Sequence, residues 1–394
     1  MVDDNDDVGM NISALYQRAY HSGKVIFSTL AQGKITRLVI VRALLCMLIP
    51  ALGVVSIWFA TSKPDHRKRQ PAQTSNVAKA QPSATPTLIP APPENKAQNE
   101  QAGPVRYFEG DPTLVVSLAF SPDGRYALAG SADATIGLWD VQRGKEIRRL
   151  EGHSDFVRSV AFSPDSRYAL SGSNDKSVRL WDIKTGQEIS RFDGYVGYVL
   201  GVAFSPDGRY VLSGSRDAVI RILDVQTGKE RRRFTGPAEP LSSIAFSPDG
   251  HYVLFGSRDA IVKLWDLQAG EEVRRFKGLS EAAYSMAFSP DDRYVLAGSA
   301  DATIRLWDVQ TGEGIRQFEG HTKSVTSLAF SPDSRYALSG SNDNTVRLWD
   351  VQTGQEISRF EGHTNNVTSV AFSPDGHHAL SGGFDRSLIL WNLP

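Results

Sequence analysis

The chain has 394 residues, of which 41% are hydrophobic and 22% charged, and its formal net charge is −1. This near-neutral balance excludes the basic surface of a nucleic-acid binder, and the length admits one large all-β domain as readily as two or three average ones. The one cysteine, Cys46, excludes a disulfide framework or a cysteine-held zinc within a single copy and leaves the redox compartment open.

Residues 1–37 open with Asp3, Asp4, Asp6 and Asp7 and lack an apolar pattern long enough for a core, which predicts a polar tail. From Ala43 to Thr61 the sequence ALLCMLIPALGVVSIWFAT runs nineteen residues without a charge, and Leu38 to Val41 extend it if Arg42 snorkels. Residues 38–61 are therefore expected to form one transmembrane helix, in which Pro50 and Gly53 are tolerated and Trp58 serves as an interfacial aromatic. A cleaved signal peptide would be shorter and nearer the N-terminus. Residues 62–104 carry eight prolines among Ala, Gln and Asn, the composition of a disordered, semi-extended linker. Lys34, Arg37 and Arg42 before the span are balanced by Lys63, Arg67, Lys68 and Arg69 after it, so charge asymmetry gives no orientation. An anchor followed by a Pro/Ala-rich spacer resembles bacterial inner-membrane proteins that reach across the periplasm, which implies an extracytoplasmic (periplasmic) domain in a single-pass membrane protein.

From Ala119 onward AFSPD recurs at 119, 161, 203, 245, 287, 329 and 371, always 42 residues apart. A fixed period without insertions marks an array of one structural unit. Each copy holds four short strand-like runs between turn residues, as in SVAFSPD, RYALSGSND, KSVRLWDIKTG and QEISRF of the second, so each unit is a small four-stranded sheet. Gly152-His153 precede the first run, Asp175 lies between the second and third, and Trp181-Asp182 close the third. On these recurring signals the region 105–394 resembles the WD-repeat family. The resemblance implies an all-β, seven-bladed β-propeller of WD repeats.

The seventh copy ends at Trp391-Asn392-Leu393-Pro394 without a fourth run. Ahead of the first copy, Val105-Arg106-Tyr107-Phe108-Glu109-Gly110 matches Ile357-Ser358-Arg359-Phe360-Glu361-Gly362 of the sixth. Since an open ring would leave sheet surface unpaired, residues 105–109 are expected to supply the missing outer strand of the last blade.

In WD-repeat proteins the turn Asp bonds the His of the Gly-His pair, the His bonds a Ser or Thr of the second strand, and that hydroxyl meets the Trp indole. Carried over by position, the resemblance implies three complete sets: His153, Ser171, Asp175 and Trp181; His321, Ser339, Asp343 and Trp349; His363, Ser381, Asp385 and Trp391. Elsewhere Asp111, Tyr195, Pro237 or Leu279 replaces the His, and Leu223 replaces one Trp. Those networks are expected to be incomplete, and blades three to five the least stable part of the ring. A Ser, a His and an Asp together suggest a catalytic triad, but three copies of the trio, each with a Trp, argue for a structural role.

The sequence contains no P-loop, GxSxG elbow, HExxH helix or EF-hand loop, and His377-His378 is an isolated pair in a repeat turn. Copies two and six differ at four of 31 positions between 162–192 and 330–360, as expected of amplified blades rather than of one specialised for catalysis. The expectation is a non-enzyme that needs no cofactor, metal or small-molecule substrate.

By the same resemblance, partner contacts fall on the rim of the central opening. There Leu114 and Val116, Phe156 and Arg158, Tyr198 and Leu200, and Pro240 and Ser242, with Arg216 and Arg258 beside the turn Asp, make an apolar patch edged with arginine. In blades six and seven the equivalents Ser324, Thr326, Asn342, Asn366 and Thr368 are polar, with Phe384 the exception. Aromatics and arginine dominate interface hot spots, so this half-rim is the expected site of an unidentified protein partner. The function expected is a membrane-tethered protein–protein interaction scaffold; the alternative is small-ligand or glycan binding in the central channel, which converging carboxylates there would favour. The outer-strand runs Arg148-Arg149, Arg231 to Arg233 and Arg274-Arg275 read as charge-protected edges, or as a surface for an acidic partner or lipid headgroups.

Overall fold

The computed structural model describes residues 104–110, 113–235 and 241–394. The expected tail (1–37), membrane helix (38–61) and all but the last residue of the linker (62–104) lie outside the described residues, as do Asp111, Pro237 and Pro240. The described residues form seven four-stranded antiparallel sheets and no helix. Blade one consists of Val115–Phe120, Tyr126–Ser131, Ile136–Asp140 and Lys145–Leu150, in that order from first to outer strand, and five further blades repeat it.

The sheets stack face to face, so their second and third strands are buried on both sides and read as near-continuous apolar runs. One core cluster joins Leu128, Ile136, Leu138 and Leu150 of blade one to Val157, Val160, Phe162 and Trp181 of blade two, and similar clusters fill other seams. The approach is close enough to require glycine in the second strand. A Cβ on Gly130 would lie 2.8 Å from Val157 Cγ1, and one on Gly382 would lie 2.6 Å from Val115 Cγ1.

Each first strand bulges after its first residue. Val115 pairs with Ser131 but Ser117 with Gly130, leaving Val116 as the extra residue; Arg158, Leu200, Ser242, Tyr284, Thr326 and Thr368 are its equivalents. This repeated bulge sets the rim positions.

The N-terminal strand Pro104–Tyr107 completes the last blade, in the order Pro104–Tyr107, Leu388–Asn392, His378–Gly383, Val367–Phe372. The expected range of 105–109 needs correction at both ends. The strand begins at Pro104, taking the last residue of the linker, and after it Phe108 N–H still donates to the Leu388 carbonyl at 2.9 Å. Glu109 already belongs to blade one: its N–H donates to the Gly144 carbonyl at 2.7 Å and its carbonyl accepts the Glu146 N–H at 3.2 Å. The chain must leave the outer edge of one blade to reach the inner strand of the next, and this crossing stitches the two together.

The basic runs are consumed within the ring. Arg148 donates to the Thr185 carbonyl of the following blade at 3.0 Å, Arg232 to the Gln268 carbonyl at 3.0 Å, Arg274 to the Thr311 carbonyl at 2.6 Å and Arg316 to the Thr353 carbonyl at 2.8 Å. Arg106, on the N-terminal strand, makes the same clamp to Val141 and Gln142 of blade one. Ser190 and Ser358 occupy this place in blades two and six. Of the other arginines in the runs, Arg149, Arg233 and Arg275 pair with Glu146, Glu230 and Glu272 at 2.8–2.9 Å, and Arg231 donates to the Tyr210 hydroxyl at 3.3 Å.

Candidate functional site at the rim

The turn between the second and third strands is built around its Asp. In blade two the Asp175 carboxylate accepts the Ser177 hydroxyl at 2.7 Å and N–H at 3.0 Å on one oxygen, and the Ser154 N–H at 3.1 Å on the other. The next residue, Lys176, has a φ of 67°, and all seven turns place a non-glycine residue in this left-handed region. His153 Nδ1 lies 2.7 Å from Asp175 Oδ2, His153 Nε2 lies 2.7 Å from Ser171 Oγ, and Trp181 Nε1 donates to Ser171 Oγ at 2.8 Å.

The ionised carboxylate can only accept, so Nδ1 carries the proton of the neutral imidazole and Nε2 accepts from the Ser171 hydroxyl, whose oxygen in turn accepts from the indole. The same chain recurs at His321, Ser339, Asp343 and Trp349 and at His363, Ser381, Asp385 and Trp391, with distances of 2.7–2.8 Å. Burial pushes these carboxyls up, but the hydrogen bonds from the histidine and the turn hydroxyl outweigh it and hold them well below the usual carboxylate range. Burial also lowers the His321 pKa, against the pull of Asp343.

The remaining blades solve the same problem differently. In blade three the Tyr195 hydroxyl bonds Ser213 Oγ at 2.5 Å and Leu223 fills the tryptophan's place, so part of a network persists there. In blade five Trp307 Nε1 donates to the Lys277 carbonyl at 2.9 Å, and Asp301 takes the Ser280 and Thr303 hydroxyls. Trp139 and Trp265 have no partner for Nε1 among the described residues. Trp265 packs instead between Phe234 and Phe255, with ring centroids 5.9 and 6.0 Å away.

Among the described residues, one backbone bond in each of six blades holds the rim. The residue before the turn Asp donates its N–H to the carbonyl ahead of the first strand: Ala132 to Leu114 at 3.0 Å, Asn174 to Phe156 at 2.9 Å, Arg216 to Tyr198 at 2.8 Å and Phe384 to Asn366 at 2.9 Å. Arg158 Nε donates to Asn174 Oδ1 at 2.9 Å, and its guanidinium lies over the Phe156 ring at 5.4 Å. Arg216 covers Tyr198 at 5.7 Å. Burial lowers the Arg158 pKa; Asp155 and Tyr198 oppose that effect, while Arg216 adds to it. Phe156 with Arg158 in blade two and Tyr198 with Arg216 in blade three thus form two arginine-covered rings in adjoining blades. Leu114, Val116 and Leu200 are half-buried beside them, and Arg258 is exposed in blade four. Ser242 differs from the rim expectation, because its hydroxyl is buried without a partner rather than presented to solvent.

The family model for the WD domain, G-beta repeat, matches residues 312–350 and 354–392, and the model for the IFT122 first beta-propeller matches residues 114–290. Together they span more than half of the chain. The chain belongs to the WD-repeat family. No individual curated protein matches it. WD-repeat propellers generally bind protein partners, which directs attention to the rim of this one.

Closing the WD-repeat ring moves one residue into the patch. Phe384, 39% exposed, lies two residues after Gly382, which packs against Val115 and Leu118 of blade one. The exception on the polar side thus lies in the blade that adjoins blade one, which extends the aromatic and aliphatic arc from blade seven through blades one, two and three. Sequence reasoning missed Tyr284, which is 40% exposed in blade five. The 42-residue step from Val116 through Arg158 and Leu200 would have found it.

Proposed function

We propose that this WD-repeat protein is a membrane-tethered interaction scaffold that holds a protein partner on the rim arc from blade seven to blade three. The observation that carries this reading is the Phe156, Arg158, Tyr198 and Arg216 cluster, two aromatic rings each covered by an arginine at a solvent-facing seam. The first strands support the rim over the channel. Their sequences, VVSLAF, VRSVAF, VLGVAF, LSSIAF, AYSMAF, VTSLAF and VTSVAF, contain no carboxylate to converge on a small ligand or glycan.

The reading includes no catalysis. Each Ser-His-Asp trio is sealed: Ser171, Ser339 and Ser381 are fully buried, and each hydroxyl is engaged by a histidine and an indole. Tethering rests on the charge-free run 43–61, and the Pro/Ala-rich segment after it supports an extracytoplasmic propeller.

Two experiments test the reading. Phe156→Ala with Tyr198→Ala should abolish capture of the partner recovered from detergent-solubilised membranes while leaving the melting temperature unchanged; retained capture removes this face from consideration. Protease added to spheroplasts should digest the propeller, and its protection would place the domain on the other side of the membrane.

A further inference from the structure

Four blades carry an ion pair at one repeated place. A base on the third strand meets a Glu at the start of the outer strand: Arg179 with Glu188 at 2.6 Å, Arg221 with Glu230 at 2.5 Å, Lys263 with Glu272 at 3.1 Å and Arg347 with Glu356 at 2.6 Å. The glutamate stands opposite the tryptophan position in the register, so both partners share one face of the sheet. Blade five keeps the base, Arg305, but has Gly314 opposite Trp307 where the glutamate belongs.

Arg305 is half-buried and makes no hydrogen bond or ion pair among the described residues. The nearby acids do not replace the missing one. Glu313 stands one residue early, outside the strand and exposed, and Asp301 is taken by Ser280 and Thr303. Backbone geometry does not demand a glycine at 314. Its φ is not positive, and a Cβ there would meet Trp307 at 3.7 Å, an ordinary contact. The guanidinium packs against the Gly278 backbone, where a Cβ would lie 2.8 Å from Arg305 Nη1, just as Arg179 packs against Gly152 and Arg347 against Gly320, so it holds the sibling position without the sibling glutamate. The result is a half-desolvated cation beside a notch that in four sibling blades holds a carboxylate.

We propose that Arg305 and the notch at Gly314 form a recognition site for a carboxylate, supplied by an acidic side chain of a protein partner. The guanidinium has its donors free, and a carboxylate seated there would make the charge-assisted contact that Glu188 and Glu356 make within their own blades. The site lies on the outer half of blade five and stands or falls independently of the rim arc.

The test is fluorescence anisotropy of a labelled, end-blocked poly-glutamate peptide titrated with the full chain in detergent. Arg305→Gln should weaken binding by about tenfold, the scale of one lost charge-assisted contact. Gly314→Glu should weaken it as much and raise the melting temperature by restoring the internal pair. Arg305→Gln needs no added space, so the test survives if Gly314→Glu fails to fold. Phe156→Ala with Tyr198→Ala should leave peptide binding unchanged, which separates this site from the rim. Unaltered binding by Arg305→Gln would overturn the proposal, as would displacement of the peptide by sodium acetate at equal carboxylate concentration, which would assign the notch to small acids.

Discussion

Arg106 stands opposite Leu390 in one sheet, and its guanidinium reaches on to the Val141 carbonyl of the neighbouring blade at 3.3 Å. A single residue near the start of the propeller thus joins its end to its first blade. Phe108, the residue just after that strand, is buried in the core of the same seam.

A chain that begins at residue 112 is therefore expected to melt well below the full propeller, with circular dichroism as the measure. Arg106→Ala removes the clamp alone and should cost about 1 kcal/mol. Equal melting temperatures for the shortened and full chains would refute closure by this strand.

Acid should weaken the ring, through two kinds of group that act in the same direction. Asp175, Asp343 and Asp385 have folded pKa values below their unfolded ones, so their contribution is complete above about pH 4 and is lost as pH falls. His321 is also lowered, by burial, so its contribution is complete above about pH 6.5 and is lost as pH drops through its folded value. Thermal melts should decline first below about pH 6.5 and more steeply below about pH 4. A melting temperature constant across that range would contradict the pairing.

Ser339 serves two partners, accepting from Trp349 at 2.8 Å and donating to His321 at 2.7 Å. Ser339→Ala strands both and should cost about 2 kcal/mol in urea unfolding. Ala297→Ser, at the same place in blade five, should change stability little, because Trp307 already bonds the Lys277 carbonyl. Equal effects at the two sites would show that the network adds nothing beyond packing.

Asp292 occupies a turn position with a φ of 59°, where blades one, three, four and seven have Gly124, Gly208, Gly250 and Gly376. Burial, with repulsion from Asp249 and Asp291, raises its pKa, so the ionised form opposes folding at neutral pH. Asp292→Gly should stabilise by about 1 kcal/mol through relief of the left-handed strain, and Asp292→Asn by less. A lower urea midpoint for the glycine variant would be the contrary result.

Seam bonds between first strands extend the expectation for blades three to five. The Ser117, Ser159, Ser285 and Ser327 hydroxyls accept N–H groups of the next blade's first strand at 3.0–3.2 Å, whereas Gly201 in blade three has no hydroxyl to offer. Amides of Leu241–Phe246 should exchange with deuterium faster than those of Val157–Phe162 or Val325–Phe330. Uniform exchange would show that packing alone sets local stability.

Much of the site was readable because it repeats. His153, Ser171, Asp175 and Trp181 meet through contacts between runs of one repeat, so position within the period predicts the meeting. The partner of Trp307 was not readable, since a main-chain carbonyl has no sequence signature. Nor was the fate of the basic runs, because their acceptors, the carbonyls of Thr185, Gln268 and Thr311, belong to the next blade. The lone Arg305 required both: the repeat shows that Gly314 stands in a glutamate's place, and the structure shows that no other described acid fills it.

Local chemistry by itself determined the number of blades, their four strands and the strand that closes them. Turn residues and strand periodicity act over a few positions, and the 42-residue step multiplies them seven times. Only the tertiary structure decided which residues become neighbours across seams: Gly382 against Val115, Arg148 on the Thr185 carbonyl, and Glu109 on blade one rather than seven. Those relationships depend on the rotation from one rigid blade to the next, and close packing of whole sheets, rather than any local run, sets that rotation.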